Sequence, residues 1–400
     1  MRLLHTSDWH LGRVFHGTSL LAQQAAVLDA LVQVVRDERV DAVVVAGDLY
    51  DRQIPSVDAV ALLDQVLRDL RGAGAQIVAI AGNHDSGSRI GFASSLLSVA
   101  GVHLVGDPRQ AGLPIELDVT DGGAPVVVYP VPYLEPELAW DAIGRDTIGL
   151  GGSAIARTHG GVLRAAFDRA RADLAARPER VRSIGVAHAF VTGGAPCDSE
   201  RVLRIGGTDQ VGADALSGLD YVALGHLHGR QTIGRGQVRY AGSPLAYSFS
   251  EAAHTKGAWL VELSPGGAVV VNAVDLPVPR ALATISGELA DLLADPAHMR
   301  AQGCWVQATL TDQVLPREAM ARLRLRFPHA VVLQHAPPVR PGRDGLGYAQ
   351  RTRGRDDRAL VRDFVQHVTG MALTPLEEAD CCAAIDAVAV ADSLVGSAGR

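Results

Sequence analysis

The chain has 400 residues and a net charge of −7, and 48% of its residues are hydrophobic. This length predicts two or three domains, and no apolar run approaches the ~18 residues that a membrane span needs. No apolar signal segment is present near the N-terminus, so we expect a cytoplasmic protein. The four cysteines form no Cys-x-x-Cys pair, which argues against a disulfide framework or a thiolate zinc site. The acidic total does not exclude a nucleic-acid enzyme, because local arginine patches can bind phosphates.

Strand and helix patterns alternate in the first 85 residues. Apolar runs rich in β-branched residues predict strands at 2–6, 43–46 and 77–81. Helical spacing of apolar residues predicts amphipathic helices at 20–36 and 57–70. The resulting β-α-β-α-β order is typical of an α/β layer fold.

The middle of the chain continues with short apolar strands. The Gly-rich segment 144–161 gives no prediction, and 162–176 has the spacing of a helix. Pro265-Gly266-Gly267 predicts a hairpin turn between two of the strands. The predicted strands are 126–131, 183–187, 220–224, 238–241, 258–263 and 268–274.

The pattern changes after Pro277-Val278-Pro279. The following stretch, 277–338, alternates helix, strand, helix and strand (288–293, 305–310, 316–326 and 330–334), so it predicts a small α+β domain distinct from the first domain, 1–275. Segment 340–358 is rich in Arg, Gly and Asp and predicts a basic, flexible linker. Two helices are predicted in 359–396, and Thr374-Pro375-Leu376-Glu377 forms a capping box at the start of the second.

Five of the predicted strands end in residues that can bind metal ions. Imidazole, carboxylate and amide groups without sulfur suit Mn²⁺, Fe²⁺, Mg²⁺ or Zn²⁺. Any one of these motifs alone is also compatible with a turn or an ordinary buried histidine, whereas all five together predict a two-metal site. The motifs are Asp8-x-His10, Asp48-x-x-Asp51, Asn83-His84-Asp85, His188 and His226-x-His228.

The motifs predict two metal positions that share Asp48. The first would be bound by Asp8, His10, Asp48 and His228, and the second by Asp48, Asn83, His188 and His226. Two divalent cations against two carboxylates leave a local charge of +2, which can hold a phosphodiester oxygen and lower the pKa of a bridging water. The site therefore predicts hydrolysis at phosphorus.

His84 follows a predicted ligand but is not needed for the metals. It could stabilise the transition state or protonate the leaving oxygen. Asp51 lies three residues beyond Asp48 and is predicted to orient His84 through a hydrogen bond. Both residues are therefore candidate catalytic groups.

Longer sequence segments surround these motifs. The chain resembles the SbcD family of bacterial nucleases, a branch of the calcineurin-like metallophosphoesterase superfamily. The segments that carry the resemblance are His5-Thr6-Ser7-Asp8-Trp9-His10-Leu11-Gly12, Ala46-Gly47-Asp48-Leu49-Tyr50-Asp51-Arg52, Ala81-Gly82-Asn83-His84-Asp85-Ser86, Leu224-Gly225-His226-Leu227-His228 and Tyr240-Ala241-Gly242-Ser243-Pro244.

The resemblance implies a fold and an activity. The fold would be an α/β two-sheet sandwich flanked by helices over 1–275, a small α+β capping domain at 277–338 and C-terminal helices. The activity would be that of a Mn²⁺-dependent DNA nuclease, a 3′-to-5′ exonuclease on duplex ends and an endonuclease on single strands and hairpins, in DNA break repair and recombination. The alternatives are a small-substrate phosphodiesterase or phosphoprotein phosphatase of the same superfamily, and a scaffold that has lost its metals.

The resemblance also implies partners. They are DNA and an ATPase of the SbcC type, with the chain forming a homodimer within a heterotetramer. The helices of 359–396 would either bind this ATPase or pack on their own domain, and helix 20–36 could contribute to the dimer interface. Four arginines near the motifs are candidate DNA contacts, namely Arg13, Arg52, Arg89 and Arg230.

Overall fold

The computed structural model describes residues 1–119, 121–148, 156–200, 211–234, 236–338 and 355–397. The chain divides into two compact units, Met1–Ala283 and Thr284–Arg400. The domain boundary expected at 275–277 stays a prediction. Among the described residues, no helix combines the length and the apolar character that crossing a bilayer requires.

The first unit contains the strands of two six-stranded sheets. In chain order these strands are β1 (Arg2–Thr6), β2 (Val14–Phe15), β3 (Thr18–Ser19), β4 (Ala42–Val45), β5 (Gln76–Ile80), β6 (Val102–Val105), β7 (Ile115–Leu117), β8 (Val126–Val131), β9 (Arg182–His188), β10 (Tyr221–Gly225), β11 (Gln231–Ile233), β12 (Val238–Tyr240), β13 (Gly257–Leu263) and β14 (Val269–Asp275), with β2 and β3 forming a separate small ribbon. Its α-helices are α1 (Leu21–Asp37), α2 (Val57–Gly72), α3 (Gly87–Ile90), α4 (Ser94–Val99), α5 (Pro136–Ile148) and α6 (His159–Ala176).

The two sheets have matching designs. The first has the order β14-β13-β1-β4-β5-β6 and the second β11-β12-β10-β9-β8-β7. The central neighbours β1, β4, β5 and β6 run parallel to one another, as do β8, β9, β10 and β12. Parallel strands covered on both faces are continuous apolar runs, which explains the unbroken Val43-Val44-Val45.

One apolar core lies between the two sheets. Leu3, Val44 and Val78 of the first sheet belong to the same buried cluster as Val128 and Ile184 of the second. A second cluster joins the other face of the second sheet to α5 and α6. Fully burying each such side chain contributes roughly 1.5–3 kcal/mol. The fold is therefore the two-sheet sandwich flanked by helices that the sequence predicted.

The second unit has a three-stranded sheet and four helices among its described residues. The strands are β15 (Leu282–Gly287), β16 (Trp305–Leu310) and β17 (Ala330–His335), and the helices are α7 (Leu289–Ala294), α8 (Ala319–Arg326), α9 (Asp357–Thr369) and α10 (Pro375–Ser397). This composition agrees with a small α+β unit followed by two helices. The capping box before α10 is present, because Thr374 N donates to Glu377 Oε2 at 2.8 Å and Glu377 N donates back to Thr374 Oγ1 at 3.4 Å.

Several predicted boundaries were wrong. The helix expected from 316 begins at Ala319, because Glu318 has a φ of 52°, which is incompatible with a helix. Helix α9 begins at Asp357, inside the predicted linker, with Asp356 accepting a hydrogen bond from Ala359 N at 2.7 Å. Helix α5 extends to Ile148, into the Gly-rich segment. The rest of that segment up to 155, and 340–354 of the linker, lie outside the described residues.

Candidate metal centre

The loops after β1, β4 and β5 lie side by side at one edge of the first sheet. Asp8 N donates to Gly47 O at 3.0 Å, and His10 N donates to Asp48 O at 2.9 Å. The last residue of β9, His188, and the loop after β10, with His226 and His228, come from the second sheet. Since the carboxyl ends of parallel strands meet at the same edge, residues far apart in the chain come within hydrogen-bond distance.

Three glycines directly precede predicted metal ligands, and each stands where a Cβ atom would have no room. A Cβ atom at Gly47 would lie 2.3 Å from His188 Nδ1, and one at Gly82 would lie 2.1 Å from Asp48 Oδ1. At Gly225 it would lie 1.9 Å from a neighbouring main-chain carbonyl oxygen. Gly47 also has a φ of +93°, a backbone conformation that residues with a side chain rarely adopt. The Gly-Asp, Gly-Asn and Gly-His pairs are therefore requirements of close loop packing.

Four of the predicted ligands have left-handed backbone conformations. The φ angles are 54° at Asp8, 46° at His10, 51° at Asp48 and 103° at His226. Such conformations cost about 1–3 kcal/mol each in non-glycine residues and persist where the surroundings enforce them. They concentrate here because each loop must turn a side chain back toward a common centre.

Asp48 occupies the middle of the centre. Its Oδ1 atom accepts a hydrogen bond from His84 N at 2.8 Å, which fixes the carboxyl group. Its Oδ2 atom lies 3.5 Å from Nε2 of His10 and 3.5 Å from Nε2 of His188. One carboxylate oxygen thus lies between imidazoles on two sides, the geometry that a shared ligand requires.

The first predicted ligand group is assembled beside Asp48. The ligand atoms of Asp8, His10 and His228 all lie within 4.8 Å of one another. Nε2 of His10 is 3.1 Å from Nε2 of His228, and both oxygens of Asp8 accept from His226 N, at 3.0 and 3.1 Å.

The second predicted ligand group lies on the other side of Asp48. Asn83 Oδ1 is 2.8 Å from His188 Nε2 and 3.2 Å from His226 Nδ1. His188 Nδ1 donates to Ala46 O at 2.8 Å. In the neutral imidazole the Nε2 atom then carries a lone pair, and this lone pair faces the oxygens of Asn83 and Asp48.

The electrostatics of the cluster fit divalent cations. Burial raises the pKa of Asp8 well above its ordinary value, and the charge of Asp48 adds to this effect. Burial lowers the pKa of His10, His188 and His226, so these imidazoles are neutral, the form that binds metals. Among the described residues, His10 Nδ1 and Asn83 Nδ2 are buried without a hydrogen-bond partner. Neutral donors and buried acidic groups that face one another make a donor set for cations.

The predicted contact between His84 and Asp51 exists with a different atom. His84 Nδ1 lies 2.9 Å from the main-chain carbonyl oxygen of Asp51. The carboxylate of Asp51 instead pairs with Arg13 at 2.8 Å and lies 3.7 Å from His10 Nδ1. The prediction that the Asp51 side chain orients His84 was therefore wrong, because the loop turns the carboxylate toward His10 and Arg13.

The four candidate arginines differ in their surroundings. Arg13 pairs with Asp51 and stacks on a tyrosine ring, and Arg230 pairs with Asp275 at 2.5 Å and donates to a main-chain carbonyl oxygen at 3.0 Å. These two side chains are largely buried and are engaged within the fold. Arg52 and Arg89 are exposed.

Residues to which the sequence analysis assigned no role surround the centre. Asp85 accepts from the main-chain N–H groups of Leu49, Tyr50 and Gly82 at 2.9–3.0 Å, and so joins the loops after β4 and β5. Burial and the charge of Asp48 raise the pKa of Asp85 to about 7. Behind His228 lie Ser199, Glu200, Glu251 and Lys256. The one signal available in the sequence was that Lys256 is the chain's single lysine, and the structure buries it.

The fold and this centre define a class of protein. Residues 1–230 match the family described as calcineurin-like phosphoesterase, and residues 278–369 match the family described as Type 5 capsule protein repressor C-terminal domain. The chain therefore belongs to the calcineurin-like phosphoesterases and is a metal-dependent phosphodiester hydrolase.

One relative is close enough to place the chain within that class. The chain is similar to the D subunit of the SbcCD nuclease of Bacillus subtilis (strain 168). The two are 37% identical over 348 residues, which cover 85% of this chain and 86% of the relative. The resemblance to the SbcD family is confirmed by this similarity.

Solved structures show more distant likenesses. A dimetal phosphatase from Danio rerio is 16% identical, with a TM-score of 0.39, over 69% of this chain and 98% of its own. The protein TT1561 of Thermus thermophilus is 14% identical, with a TM-score of 0.39, over 68% of this chain and 98% of its own.

Proposed function

We propose that this chain is a DNA nuclease that cleaves phosphodiester bonds with two divalent metal ions, most suitably Mn²⁺. On duplex ends it acts as a 3′-to-5′ exonuclease, and on single strands and hairpins as an endonuclease. It works in the cytoplasm with an ATPase of the SbcC type in break repair and recombination. The observation that carries the proposal is the position of Asp48 Oδ2, 3.5 Å from imidazoles on two sides.

The proposed ligand sets follow from this geometry. Asp8, His10, Asp48 and His228 hold the first ion, and Asp48, Asn83, His188 and His226 hold the second. When bound, the two ions supply the positive charge that polarises the phosphate and activates a water molecule. The buried carboxylates and neutral imidazoles of the chain hold both ions in a rigid frame of strand ends.

His84 is the proposed proton-carrying residue. Its Nδ1–H donates to the carbonyl oxygen of Asp51 at 2.9 Å, which fixes the ring and leaves Nε2 for the substrate. Its ring centroid lies 4.6 Å from that of His10, so it stands beside the metal centre. In its protonated form the Nε2–H group can donate to the leaving oxygen as the P–O bond breaks.

Two exposed arginines are proposed to contact the DNA backbone. Arg52 follows Asp51, and Arg89 lies in α3 after the Asn83-His84-Asp85 motif. Contacts to phosphate position the DNA without reading its sequence. Arg13 and Arg230 contribute instead to the fold that supports the centre.

The C-terminal helix pair is proposed to bind the ATPase. Helices α9 and α10 are joined by ion pairs of Arg358 with Asp386 at 2.5 Å and of Arg362 with Glu378 at 2.8 Å. The pair leaves apolar side chains exposed, including Phe364 (59%), Val368 (64%) and Leu376 (73%). Large exposed apolar side chains in a row are typical of a surface that a partner covers.

The homodimer is proposed to form through α3, α4 and their connection. Phe92, Leu96 and Val99 are 75–89% exposed within eight residues. The apolar stripe of α1 faces the interior, since Val27 and Leu31 are 0% exposed, and is therefore not part of the proposed interface. Light scattering should show a dimer that the double variant Phe92→Asp/Leu96→Asp converts to a monomer.

The activity is tested on labelled linear duplex DNA with Mn²⁺. Progressive shortening from the 3′ end, cleavage of hairpins and no product in EDTA are expected. Intact DNA together with rapid hydrolysis of a cyclic nucleotide would instead assign the chain to the small-substrate phosphoesterases of the same family.

A further inference from the structure

His228 is held from behind at three of its atoms. Its Nδ1 lies 2.7 Å from Ser199 Oγ, and its main-chain N–H donates to Glu200 Oε1 at 2.6 Å. Its carbonyl oxygen accepts from Lys256 Nζ at 2.9 Å. Neither the Ser199-Glu200 segment nor Lys256 belongs to the strand-end motifs, so these contacts join further parts of the chain to the metal centre.

Lys256 is buried, with 3% of its surface exposed, and all three of its ammonium hydrogens are used. They go to the carbonyl oxygen of His228, to Ser243 Oγ at 3.0 Å and to Glu251 Oε2. Glu251 is 1% exposed. Burying two charges costs several kcal/mol per ion and is tolerated only where the pair is fully hydrogen-bonded.

The hydrogen bonds of Glu251 determine the tautomer of His228. Glu251 Oε1 accepts from Ser199 Oγ at 2.5 Å and from Tyr247 N at 3.0 Å. An ionised carboxylate only accepts, and a hydroxyl group has one hydrogen. Ser199 therefore donates to Glu251 and accepts from His228, so His228 carries its proton on Nδ1. Its Nε2 lone pair faces the first metal position, 3.1 Å from His10 Nε2.

The ion pair with Lys256 supports this direction. Lys256 Nζ donates to Glu251 Oε2, and an ammonium group paired with a buried carboxylate keeps that carboxylate an acceptor.

We infer that Lys256, Glu251 and Ser199 are positioning residues that fix His228 in the Nδ1-protonated tautomer and thereby set the affinity of the first metal position. The inference rests on the proposed two-metal function. Groups behind a ligating histidine orient the ring and raise its basicity, and their loss typically costs about 10–100-fold in metal affinity. Ser199 is thus part of the metal centre, although it belongs to neither proposed ligand set.

Ser199→Ala is the most direct test, because Ser199 is only half-buried and the variant should fold. Titration of metal-free full-length protein with Mn²⁺ by calorimetry should show two binding steps in the wild type. In Ser199→Ala, one step should weaken about 10–100-fold and the other should stay unchanged. Ser199→Thr keeps the hydroxyl and should restore the affinity to within a few-fold. Glu251→Gln should weaken the same step.

Ser217→Ala is the matched control, since Ser217 is exposed and its hydroxyl donates to Asp214 O at 2.8 Å. Two unchanged Mn²⁺ steps in Ser199→Ala, equal to those of Ser217→Ala, would overturn the inference. So would a loss of melting temperature in Glu251→Gln with both affinities intact, because that outcome describes an ordinary structural ion pair. Failure of the proposed function has a different signature, namely a wild-type chain that binds no Mn²⁺ or leaves DNA intact.

Discussion

The metal centre and the C-terminal helix pair differ in how far their side chains are buried and hydrogen-bonded within this chain. At the centre, carboxylates, imidazoles and main-chain groups from both sheets are buried and fixed by hydrogen bonds. At the helix pair, Phe364 and Val368 face solvent, and the contacts between α9 and α10 are exposed ion pairs. A centre built on strand ends is preorganised, whereas the helix pair leaves large apolar side chains exposed, as the proposed binding of another protein requires.

Of the variants that test this difference, Asp48→Asn should have the largest effect on activity and metal binding. It removes the carboxylate that both proposed ligand sets share, so kcat/KM on duplex DNA with Mn²⁺ should fall by at least about 10³-fold. The metal content measured by mass spectrometry should fall from two ions to one or none. The metal-free variant should melt at a higher temperature, because the negative charge of Asp48 no longer repels that of the buried Asp8.

Asp64→Asn is the control, since Asp64 is exposed on α2 and pairs with Arg68 on the surface. Two bound ions and full activity in Asp48→Asn would remove the central role of this carboxylate.

His84→Gln should separate proton transfer from metal binding. The rate should fall about 10²–10⁴-fold, the contribution of a positioned acid–base group, while both ions remain bound. Asp51→Asn should retain His84 function, because His84 bonds to the main-chain carbonyl of Asp51 and not to its carboxylate. Loss of an ion from His84→Gln would show instead that this histidine is a ligand.

The double variant Phe364→Glu/Val368→Glu should weaken binding of the proposed ATPase partner and leave the activity of the chain alone unchanged. Affinity for the purified ATPase should fall by about 30-fold or more, the value of a hot-spot contact, and Mn²⁺-dependent cleavage of short DNA by the chain alone should not change. Gln366→Glu on the same helix controls for the added charge. Undiminished ATPase binding would show that another surface of the chain carries it.

The smallest effect concerns pH. Hydrogen bonding from Arg182, and then from the N-terminal amine, lowers the pKa of Asp121. A carboxyl group with a lowered folded-state pKa adds stability above its unfolded pKa of about 3.9, and that stability is lost as the pH falls further. Asp121→Asn should therefore cost about 1 kcal/mol at pH 7 and progressively less as the pH falls below about 4, as measured by urea titration at each pH.

The same urea titrations sharpen the comparison of the two regions. Asp386→Asn breaks the surface pair with Arg358 in the helix pair and should change stability by less than about 0.5 kcal/mol at either pH, since exposed pairs contribute little. An equal effect of the two variants would show that the burial of Arg182 adds nothing to its pair with Asp121.

The sequence predicted the strands, the helices and most of the candidate site because local patterns specify them. Buried parallel strands are continuous apolar runs, as at 43–45, and a motif at each strand end identifies the side chains that meet at the sheet edge. Short edge elements such as β7 and β11 were missed, because three residues carry too little pattern. The left-handed φ of Glu318, which delays the start of α8, was not predicted either, because Pro316 and the apolar spacing after it are typical of a helix that starts at the proline.

What the sequence by itself determined is the set of candidate metal ligands at strand ends and the class of chemistry that they permit. Only the tertiary structure decided which atoms meet: the main-chain oxygen of Asp51 against His84, and Ser199, Glu251 and Lys256 behind His228. The reason is physical. Strand and helix patterns arise from neighbours within a few positions, whereas these hydrogen bonds join residues 28–52 positions apart and depend on how the loops at the sheet edge pack.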